Sequence, residues 1–485
     1  MTNTLYLPEL REMLAENNAA ELREFCTALH PARTAEFMEG LTADEAWAVL
    51  QHAAMPLRVE IFGFFEEEKQ VEIIEMVDPS ELAPLIAEMP PDDRVDVLAE
   101  VEPKVVEQLM GLIPTDERRD ILRLSAYPEG TAGAEMTTEF ARLAEGLSAQ
   151  EAINEVRRKA EELETIYYLY VVDREDHLHG LISFRELLTA RPDAKVDELM
   201  ERDIVTANAT DDREEVADKV ERYDLLAIPV VDDEYRLVGI ITHDDIIDVV
   251  REEAAEDAYR IAAVEPLDTG YLETGFLELN WKRGVWLTIL FFLAILTSFV
   301  LCHFESTLTR FAWLVYFIPL LMATGGNSGN QSAALIITAL TIGNITVADW
   351  WRVVRRELAS GLLLGLFLAI LGFFSAWGVM ALSTPDRAIV TESTSVSVEK
   401  GSIDVEDSTD VLGTARSAPI ASSALVVALT LFLLVPCGTL YGSVLPLLFR
   451  RLGLDPALMS NPLVGGTIDV IGIVIYVNVA VWLLL

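Results

Sequence analysis

One carboxylate stands inside a long apolar segment of the sequence. Asp469 has 13 uncharged residues before it, counted from Pro456, and 16 after it. A carboxylate at mid-membrane costs roughly 2.5–3.5 kcal/mol on insertion scales, so its side chain must face water, an ion or a partner. Because no basic residue lies inside the neighbouring apolar segments, a permeating cation or a proton is the expected counter-charge. The alternatives are a protonated structural acid and a segment that does not cross a membrane.

The residues near Asp469 continue its polar character. Asn461, Gly465 and Asp469 are spaced i, i+4 and i+8, which places an amide, exposed backbone and the carboxylate on one helical face. Such hard oxygen donors suit Mg²⁺, which gives up water reluctantly and is usually held by one or two carboxylates. This chemistry does not exclude Na⁺, Ca²⁺, Mn²⁺ or H⁺. Softer metals are disfavoured because none of the six histidines lies in the last two apolar segments.

A second polar set lies within the uncharged stretch 311–348. Four residues that weaken or interrupt a helix fall there: Pro319, Gly325, Gly326 and Gly329. Three amides share one helical side: Asn327, Asn330 and Gln331. Irregular backbone at membrane depth survives only beside protein or a water-filled cavity, so we expect a weakened or interrupted helix beside such a cavity. The alternative is close helix packing through small residues, with amide bonds between helices.

These residues belong to an apolar half that contains five uncharged or nearly uncharged stretches: 284–302, 311–348, 358–385, 417–449 and 456–485. Each has about the 20 residues that a membrane-spanning helix needs, so we predict five spans. Basic residues at 282–283, 352–356 and 450–451 border one side under alternating crossings. The positive-inside bias therefore predicts a cytoplasmic N-terminal half, an external C-terminus and an external loop at 383–416.

The remainder of the chain is strongly acidic. The 485 residues carry 78 acids and 36 bases, a formal net charge of −42, and residues 284–485 hold only twelve of those acids. This balance argues against nucleic acid as a partner and permits cations, with a solubility or high-salt adaptation as the alternative. The three cysteines are scattered, so neither a disulfide framework nor a thiolate metal site is predicted. No signal peptide pattern opens the sequence.

Two patterns organise the acidic half. Prolines recur every 11 or 12 residues from Pro79 to Pro114, and the intervals open with acids and close with an apolar stripe, which predicts a helical solenoid over 1–131. An internal repeat with a shift of 59 residues follows, in which VVDREDHLHG matches VVDDEYRLVG. Each copy has the order strand, acidic turn, strand, helix. The repeat resembles tandem cystathionine-β-synthase-type (CBS) modules, at 132–198 and 199–250, which commonly sense adenosine nucleotides or ions.

Taken in order, five features resemble the MgtE-type magnesium channel family over nearly the whole chain: YPEGTAGAEMT, the CBS-like pair, FIPLLMATGGNSGNQS, RRLGLDPALMSNPLV and the membrane-central Asp469. The resemblance implies a multidomain membrane protein with a superhelical α-helical N domain, α+β tandem CBS domains, a connector (plug) helix at 251–283 and a five-helix transmembrane domain at 284–485. It also implies a homodimer in the cell (inner) membrane, whose pore recognises hydrated Mg²⁺ at Asp469 and Asn461. Gly465-Gly466 departs from the family pattern, which usually has a pair of hydroxyl residues.

The resemblance further implies that Mg²⁺ ions bridge acids of the cytosolic half and hold the pore shut. The acids that carry over are Asp92, Asp96, Asp212, Glu214, Asp224, Asp245, Asp248, Glu253, Glu256, Asp257 and Asp455. Several are spaced i, i+3 or i+4, which aligns carboxylates on one helical face. A solvated side chain is the alternative for each. Some family members bind ATP between the CBS repeats, for which Tyr168, Arg185 and Thr242 are the candidate contacts.

The expected function is a Mg²⁺-selective channel gated by intracellular Mg²⁺. A proton-coupled divalent-cation transporter and a membrane-anchored CBS nucleotide sensor are the rival interpretations, and an anchor has no use for Asp469. We do not expect an enzyme, since the sequence has no nucleophile–base set, P-loop or dinucleotide fingerprint.

Overall fold

The computed structural model describes residues 5–160, 163–267, 270–272, 274–382, 420–458 and 461–485. The chain divides into two compact units, Met1–Glu252 and Glu253–Leu485. The external loop predicted at 383–416 lies outside the described residues.

The first unit opens with short helices, as the sequence predicts. Among its described residues, ten precede the first strand: α1 (Leu7–Ala15), α2 (Ala19–Ala28), α3 (Pro31–Met38), α4 (Ala43–Leu50), α5 (Met55–Gly63), α6 (Glu67–Met76), α7 (Pro79–Glu88), α8 (Pro91–Glu100), α9 (Pro103–Leu112) and α10 (Thr115–Leu124). Pro79, Pro91 and Pro103 each occupy the first turn of a helix, where no intrahelical N–H bond is lost. Helices two positions apart pack together, α5 on α7 and α7 on α9, so the apolar stripes close into one continuous core.

The internal repeat folds as two copies of one α+β module. Its elements are β1 (Phe140–Ala144), α11 (Ala149–Lys159), β2 (Thr165–Val172), β3 (Leu178–Ser183), α12 (Phe184–Thr189), α13 (Val196–Leu199), β4 (Ala207–Asn208), α14 (Arg213–Tyr223), β5 (Ala227–Val231), β6 (Leu237–Thr242) and α15 (His243–Ile261). The sheets have the matching orders β1-β2-β3 and β4-β5-β6, with the first pair parallel and the second antiparallel in each. Met200 packs on Gly180 and Met136 on Gly239, so equivalent glycines receive equivalent side chains. The CBS-pair prediction is confirmed.

The second unit is helical. Its helices after α15 are α16 (Phe276–His303), α17 (Glu305–Arg310), α18 (Ile318–Thr341), α19 (Trp350–Leu382), α20 (Ile420–Arg451) and α21 (Asn461–Leu484). Among the described residues, four helical segments are long and apolar enough to cross a membrane, namely those that contain α16, α19, α20 and α21. The 24-residue α18 is richer in glycine and amide residues and packs against α20 and α21.

The prediction of a weakened or interrupted helix within 311–348 is wrong. Helix α18 is continuous, because Pro319 occupies its first turn and the glycines that follow keep helical geometry. Small residues on both helices serve close packing instead. A Cβ added at Gly325 of α18 would stand 2.8 Å from Leu434 Cδ2 of α20, and one added at Gly438 or Gly442 of α20 would strike the backbone of α18. The alternative interpretation of this stretch, tight packing through small residues, is the one that the structure supports.

The predicted connector helix at 251–283 is divided in the structure. Helix α15 ends at Ile261 and α16 begins at Phe276, and none of the described residues between them is helical. Ala263 adopts a left-handed φ of 58° and Pro266 follows, a combination that commonly ends a helix.

Candidate functional site

Asp469 lies on α21 and faces α18. Its side chain is half-buried, and its Oδ1 lies 3.7 Å from the position that a Cβ on Gly326 would occupy. The described residues give this carboxylate neither a hydrogen-bond donor nor a basic partner. A carboxyl group in these surroundings is stabilised by a proton, by water or by a cation that the described part of the protein does not itself supply.

Two amide oxygens on α18 and α21 are also unsatisfied. Within the described part of the chain, Oδ1 of Asn330 and Oδ1 of Asn461 are buried without a hydrogen-bond donor. Asn330 lies against Gly465, whose added Cβ would stand 3.3 Å from its Nδ2. An unpaired buried acceptor costs about 1–3 kcal/mol, which a cation or its bound water offsets. Asn461 and Asp469 are about 12 Å apart along the helix axis, so these oxygens form a row rather than one coordination shell.

The Gly465-Gly466 departure has a packing consequence. Gly465 faces Asn330 of α18, and Gly466 faces Leu293 of α16. A Cβ at Gly466 would stand 2.6 Å from Leu293 Cδ2, so this position requires glycine as long as Leu293 keeps its place. The two glycines therefore allow α21 to pack closely against α18 and α16.

The sequence analysis missed a second carboxylate in the apolar unit, Glu357 of α19. Its Oε2 accepts a 2.7 Å hydrogen bond from Ser332 Oγ of α18, and its backbone carbonyl accepts one of 3.4 Å from Thr439 of α20. Glu357 follows Arg355 and Arg356 directly, so it falls one residue outside the apolar stretch 358–385. Helical periodicity continued through WWRVVRRELAS would have shown that it lies two turns inside a helix.

In the first unit, a group of carboxylates lies where the N-terminal helices meet the CBS pair; Asp92 is buried, whereas Asp93, Asp96 and Glu164 keep part of their surface exposed. We call it the acidic cluster, and its members are Asp92, Asp93, Asp96, Glu135, Glu164 and Asp245. The sequence analysis named Asp92, Asp96 and Asp245. Glu135 and Glu164 were missed because only the tertiary fold brings their segments to α8, whereas Asp93 was passed over although it adjoins Asp92 in the sequence.

Burial and mutual repulsion raise the pKa of every carboxyl in the acidic cluster. Burial first, and then the charge of Asp245, raises the pKa of Asp93 to about 6 and that of Glu164 to about 7. Burial and the charge of Glu135 raise the pKa of Asp96 to about 7. Asp92 is only 9% exposed, its pKa is raised well above its usual range, and its Oδ1 is buried without a donor among the described residues. Arg213 supplies one positive charge, 3.3 Å from Glu135. The acidic cluster is therefore deficient in positive charge.

The other predicted acids of the first unit have structural partners. Asp212 caps α14 by accepting from the Glu214 backbone N–H at 2.9 Å, and Asp224 ends the same helix in a left-handed conformation. These two positions are about 18 Å apart along the axis, so one ion cannot contact both. The side chain of Glu214 is exposed, and Asp248 pairs with Arg251 at 3.3 Å on an exposed face.

In the second unit, the acids of α15 lie near Asp455. Arg260, which the sequence analysis missed, bonds to both Glu256 and Asp455. Thr341 Oγ1 donates to Asp257 at 3.1 Å, while burial, and to a lesser degree the charge of Asp455, raises the pKa of Asp257. A guanidinium thus stands between two of the predicted metal ligands. Glu253 lies on α15 two turns before Arg260.

The three predicted nucleotide contacts lie on different elements of the CBS pair. Tyr168 is partly buried on β2, Arg185 is exposed on α12, and Thr242 is buried at the end of β6. The Thr242 hydroxyl donates to Asp245 Oδ2 at 2.5 Å, which links this position to the acidic cluster.

Comparison with known families defines the class of protein. The model of the MgtE divalent cation transporter domain matches residues 318–479, and that of the MgtE intracellular N domain matches residues 29–130. The CBS domain model matches residues 132–193 and 196–252. The chain is therefore a multi-pass membrane transporter that carries a CBS pair, and not an enzyme.

Individual relatives identify the family. The magnesium transporter MgtE of Thermus thermophilus is 36% identical over 475 residues, which cover 97% of either chain. The MgtE of Bacillus subtilis is 30% identical over 357 residues, covering 74% of this chain and 70% of its own. A solved structure of the soluble part of a magnesium transporter is 34% identical, with a TM-score of 0.49, and covers 51% of this chain and 98% of its own. The chain belongs to the MgtE family.

Proposed function

We propose that this chain forms a Mg²⁺-selective channel in the cell (inner) membrane and acts as a homodimer. The observation that carries the proposal is Asp469, half-buried beside Gly326 and without a basic partner in the described residues. Mg²⁺ retains much of its water and needs few direct protein ligands. A single carboxylate suits a hydrated ion that passes through. The amide of Asn461 lies on the same helix, and the amide of Asn330 lies on α18 against Gly465. The names of the relatives support Mg²⁺ as the transported ion.

The proposal includes a fifth membrane span, α18. At 24 residues and about 1.5 Å per residue it is about 36 Å long, enough to cross the hydrocarbon core. It carries no charged residue, and its glycine, amide and hydroxyl residues lower its hydropathy. Ser328, Asn330 and Ser332 lie against other helices, whereas Asn327 and Gln331 are exposed. Five crossings place the N-terminal unit in the cytoplasm and the C-terminus outside, in agreement with the positive-inside rule.

The acidic cluster is proposed as the sensor of intracellular Mg²⁺. Its carboxylates repel one another when ionised, so a divalent ion that binds between Asp92, Asp96 and Asp245 stabilises the contact of the N domain with the CBS pair. Binding that favours one arrangement shifts the population toward it, which closes the pore in this proposal. Asp93 and Glu164 belong to the same site. The remaining predicted acids are proposed as accessory ligands: Asp212, Glu214, Asp224, Asp248, Glu253, Glu256, Asp257 and Asp455.

ATP is proposed as a ligand of the CBS pair, with contacts from Tyr168, Arg185 and Thr242. The hydrogen bond from Thr242 to Asp245 supports a link between nucleotide binding and the acidic cluster. Direct ATP titration of the purified chain, with and without Mg²⁺, tests this part. Equal ATP affinity in Thr242→Val and the native chain would remove Thr242 from the contact set.

Mg²⁺ uptake into proteoliposomes tests the main proposal. Asp469→Ala is expected to abolish uptake, whereas Glu305→Gln, which alters an exposed carboxylate of the same unit, is expected to preserve it. Uptake that follows the Mg²⁺ gradient with the pH clamped equally on both sides supports a channel, and dependence on a proton gradient supports a coupled transporter instead. Undiminished uptake in Asp469→Ala would favour a membrane-anchored sensor.

A further inference from the structure

The β2–β3 hairpin of the first CBS repeat carries two histidines around one carboxylate. Asp173 Oδ2 lies 3.0 Å from His177 Nδ1 and 3.3 Å from His179 Nε2. The other ring nitrogen of His179 lies 3.1 Å from Glu145. Asp173, Glu175 and His177 each present a ligand atom within 4.8 Å of the others. None of these residues belongs to the acidic cluster or to the predicted Mg²⁺ ligands.

The spacing of these atoms matches the ligand shell of a transition metal. Zn²⁺ binds histidine nitrogen and carboxylate oxygen at about 2.0–2.2 Å, so two ligands of a tetrahedral ion stand about 3.3 Å apart. The separations of Asp173 from the two imidazoles, 3.0 and 3.3 Å, agree with that value. Imidazole favours Zn²⁺, Co²⁺ and their neighbours, whereas Mg²⁺ prefers oxygen ligands alone. The hairpin therefore has the donor set that the acidic cluster lacks.

The second CBS repeat provides an internal control for the role of the histidines. Asp232, the equivalent of Asp173, accepts from two backbone N–H groups of its turn, at 3.0 and 2.8 Å, as Asp173 does at 2.8 and 2.9 Å. The equivalents of His177 and His179 are Arg236 and Val238. The turn thus needs the aspartate and folds without either histidine. The two imidazoles are therefore not required for the turn itself.

The geometry points to a binding site for a first-row transition-metal ion such as Zn²⁺ or Co²⁺, with Asp173, His177 and His179 as ligands and Glu175 completing the shell. Glu145 orients His179 through the other ring nitrogen. The site adjoins the contact between the two repeats, where Leu178 N–H donates to Tyr235 O at 3.1 Å and Leu237 N–H to Asp176 O at 2.9 Å. An ion held here stiffens the hairpin that joins the repeats. Transition metals thereby act on the CBS pair independently of Mg²⁺.

Co²⁺ titration of the purified full-length chain in a large excess of Mg²⁺ tests this site by visible ligand-field absorbance and bound stoichiometry. We expect one tightly bound Co²⁺ per chain with a low-symmetry spectrum. The double variant His177→Arg, His179→Val inserts the residues with which the second repeat folds, and it should bind Co²⁺ at least about tenfold more weakly. His243→Ala removes a histidine that lies beside Asp244 outside the site and should leave binding unchanged.

Two results would overturn the proposal. Equal Co²⁺ affinity in the native chain and the double variant would place the bound ion elsewhere. An absence of Co²⁺ binding by the native chain, or complete displacement of Co²⁺ by Mg²⁺, would also contradict it. His177 and His179 would then only form hydrogen bonds or ion pairs with Asp173 and Glu145. Because the readout is metal binding, neither result depends on transport.

Discussion

Asp469 and Gly326 meet where α21 crosses α18, with the carboxylate Oδ1 3.7 Å from the site of a missing Cβ. Glycine at this position leaves the carboxylate open on the side that faces α18. An alanine Cβ here would find only ordinary contacts, the nearest at 3.6 Å, so the fold tolerates a methyl group at this position. In the proposed pathway that methyl group would lie beside the Asp469 carboxylate.

Gly326→Ala should therefore lower Mg²⁺ flux while the protein stays folded. We expect a reduction of roughly tenfold, since a misplaced group near the permeating ion easily adds about 1.4 kcal/mol to its barrier. Gly442→Ala is the contrasting variant, because its Cβ would strike the Gly329 backbone, and it should destabilise the protein by about 1–3 kcal/mol. Uptake assays paired with thermal melts separate the two effects. Full Mg²⁺ flux in a folded Gly326→Ala protein would contradict an ion path between Asp469 and α18.

The acidic cluster predicts an unusual pH dependence. The folded-state pKa values of Asp93, Asp96 and Glu164 are about 6, 7 and 7, above the ordinary 3.8 to 4.5. At pH values between the ordinary and the raised pKa, the folded state therefore binds more protons than the unfolded state. Without divalent ions, stability should fall as the pH rises from about 4 to about 7, and Mg²⁺ should restore it at neutral pH. Thermal melts at both pH values, with Mg²⁺ and with chelator, measure this.

Asp96→Asn should raise the melting temperature without Mg²⁺ and shrink the gain that Mg²⁺ produces, because one repelling charge is gone. Glu107→Gln, an exposed carboxylate on α9, serves as the matched control and should behave as the native chain. A native Mg²⁺ response in Asp96→Asn would exclude this residue from the site.

Arg260 is expected to compete with metal at Asp455. Arg260→Ala leaves Glu256 and Asp455 without the guanidinium that both contact, so the variant should lose about 1 kcal/mol of stability in chelator. Added Mg²⁺ should recover more stability in the variant than in the native protein. If Mg²⁺ stabilises both equally, these acids do not form a metal site.

The hydrogen bond between Ser332 and Glu357 predicts a stability effect inside the apolar unit. Ser332→Ala leaves a carboxylate oxygen without its donor and should cost about 1–3 kcal/mol. Ser375→Ala is the control, since its hydroxyl is exposed and donates to the Leu371 carbonyl of its own helix. Comparable melting of the two variants would show that Glu357 is satisfied by water.

Local patterns predicted much of this architecture. The spacing of the prolines predicted the N-terminal helices, and the repeat with a shift of 59 residues predicted the CBS pair. The helical spacing of Asn461, Gly465 and Asp469 predicted a polar face on α21, and Gly465 and Asp469 of this face contact α18. In each case the signal repeats within the sequence or lies on one helix.

What the sequence could not give depends on contacts between distant segments. Glu164 joins Asp93 only because the CBS module packs on α8, and Arg260 reaches Asp455 across 195 positions of the chain. The continuity of α18 was mispredicted because glycine weakens an isolated helix, while neighbouring helices that pack on its small residues hold it.

The most direct test of ion passage at Asp469 is the reversal potential of the reconstituted channel in a Mg²⁺ gradient. For a divalent ion, each tenfold gradient should move the reversal potential by about 30 mV. We predict this slope for the native chain and loss of the Mg²⁺ current in Asp469→Asn. The same slope and current in Asp469→Asn would contradict the proposed pathway.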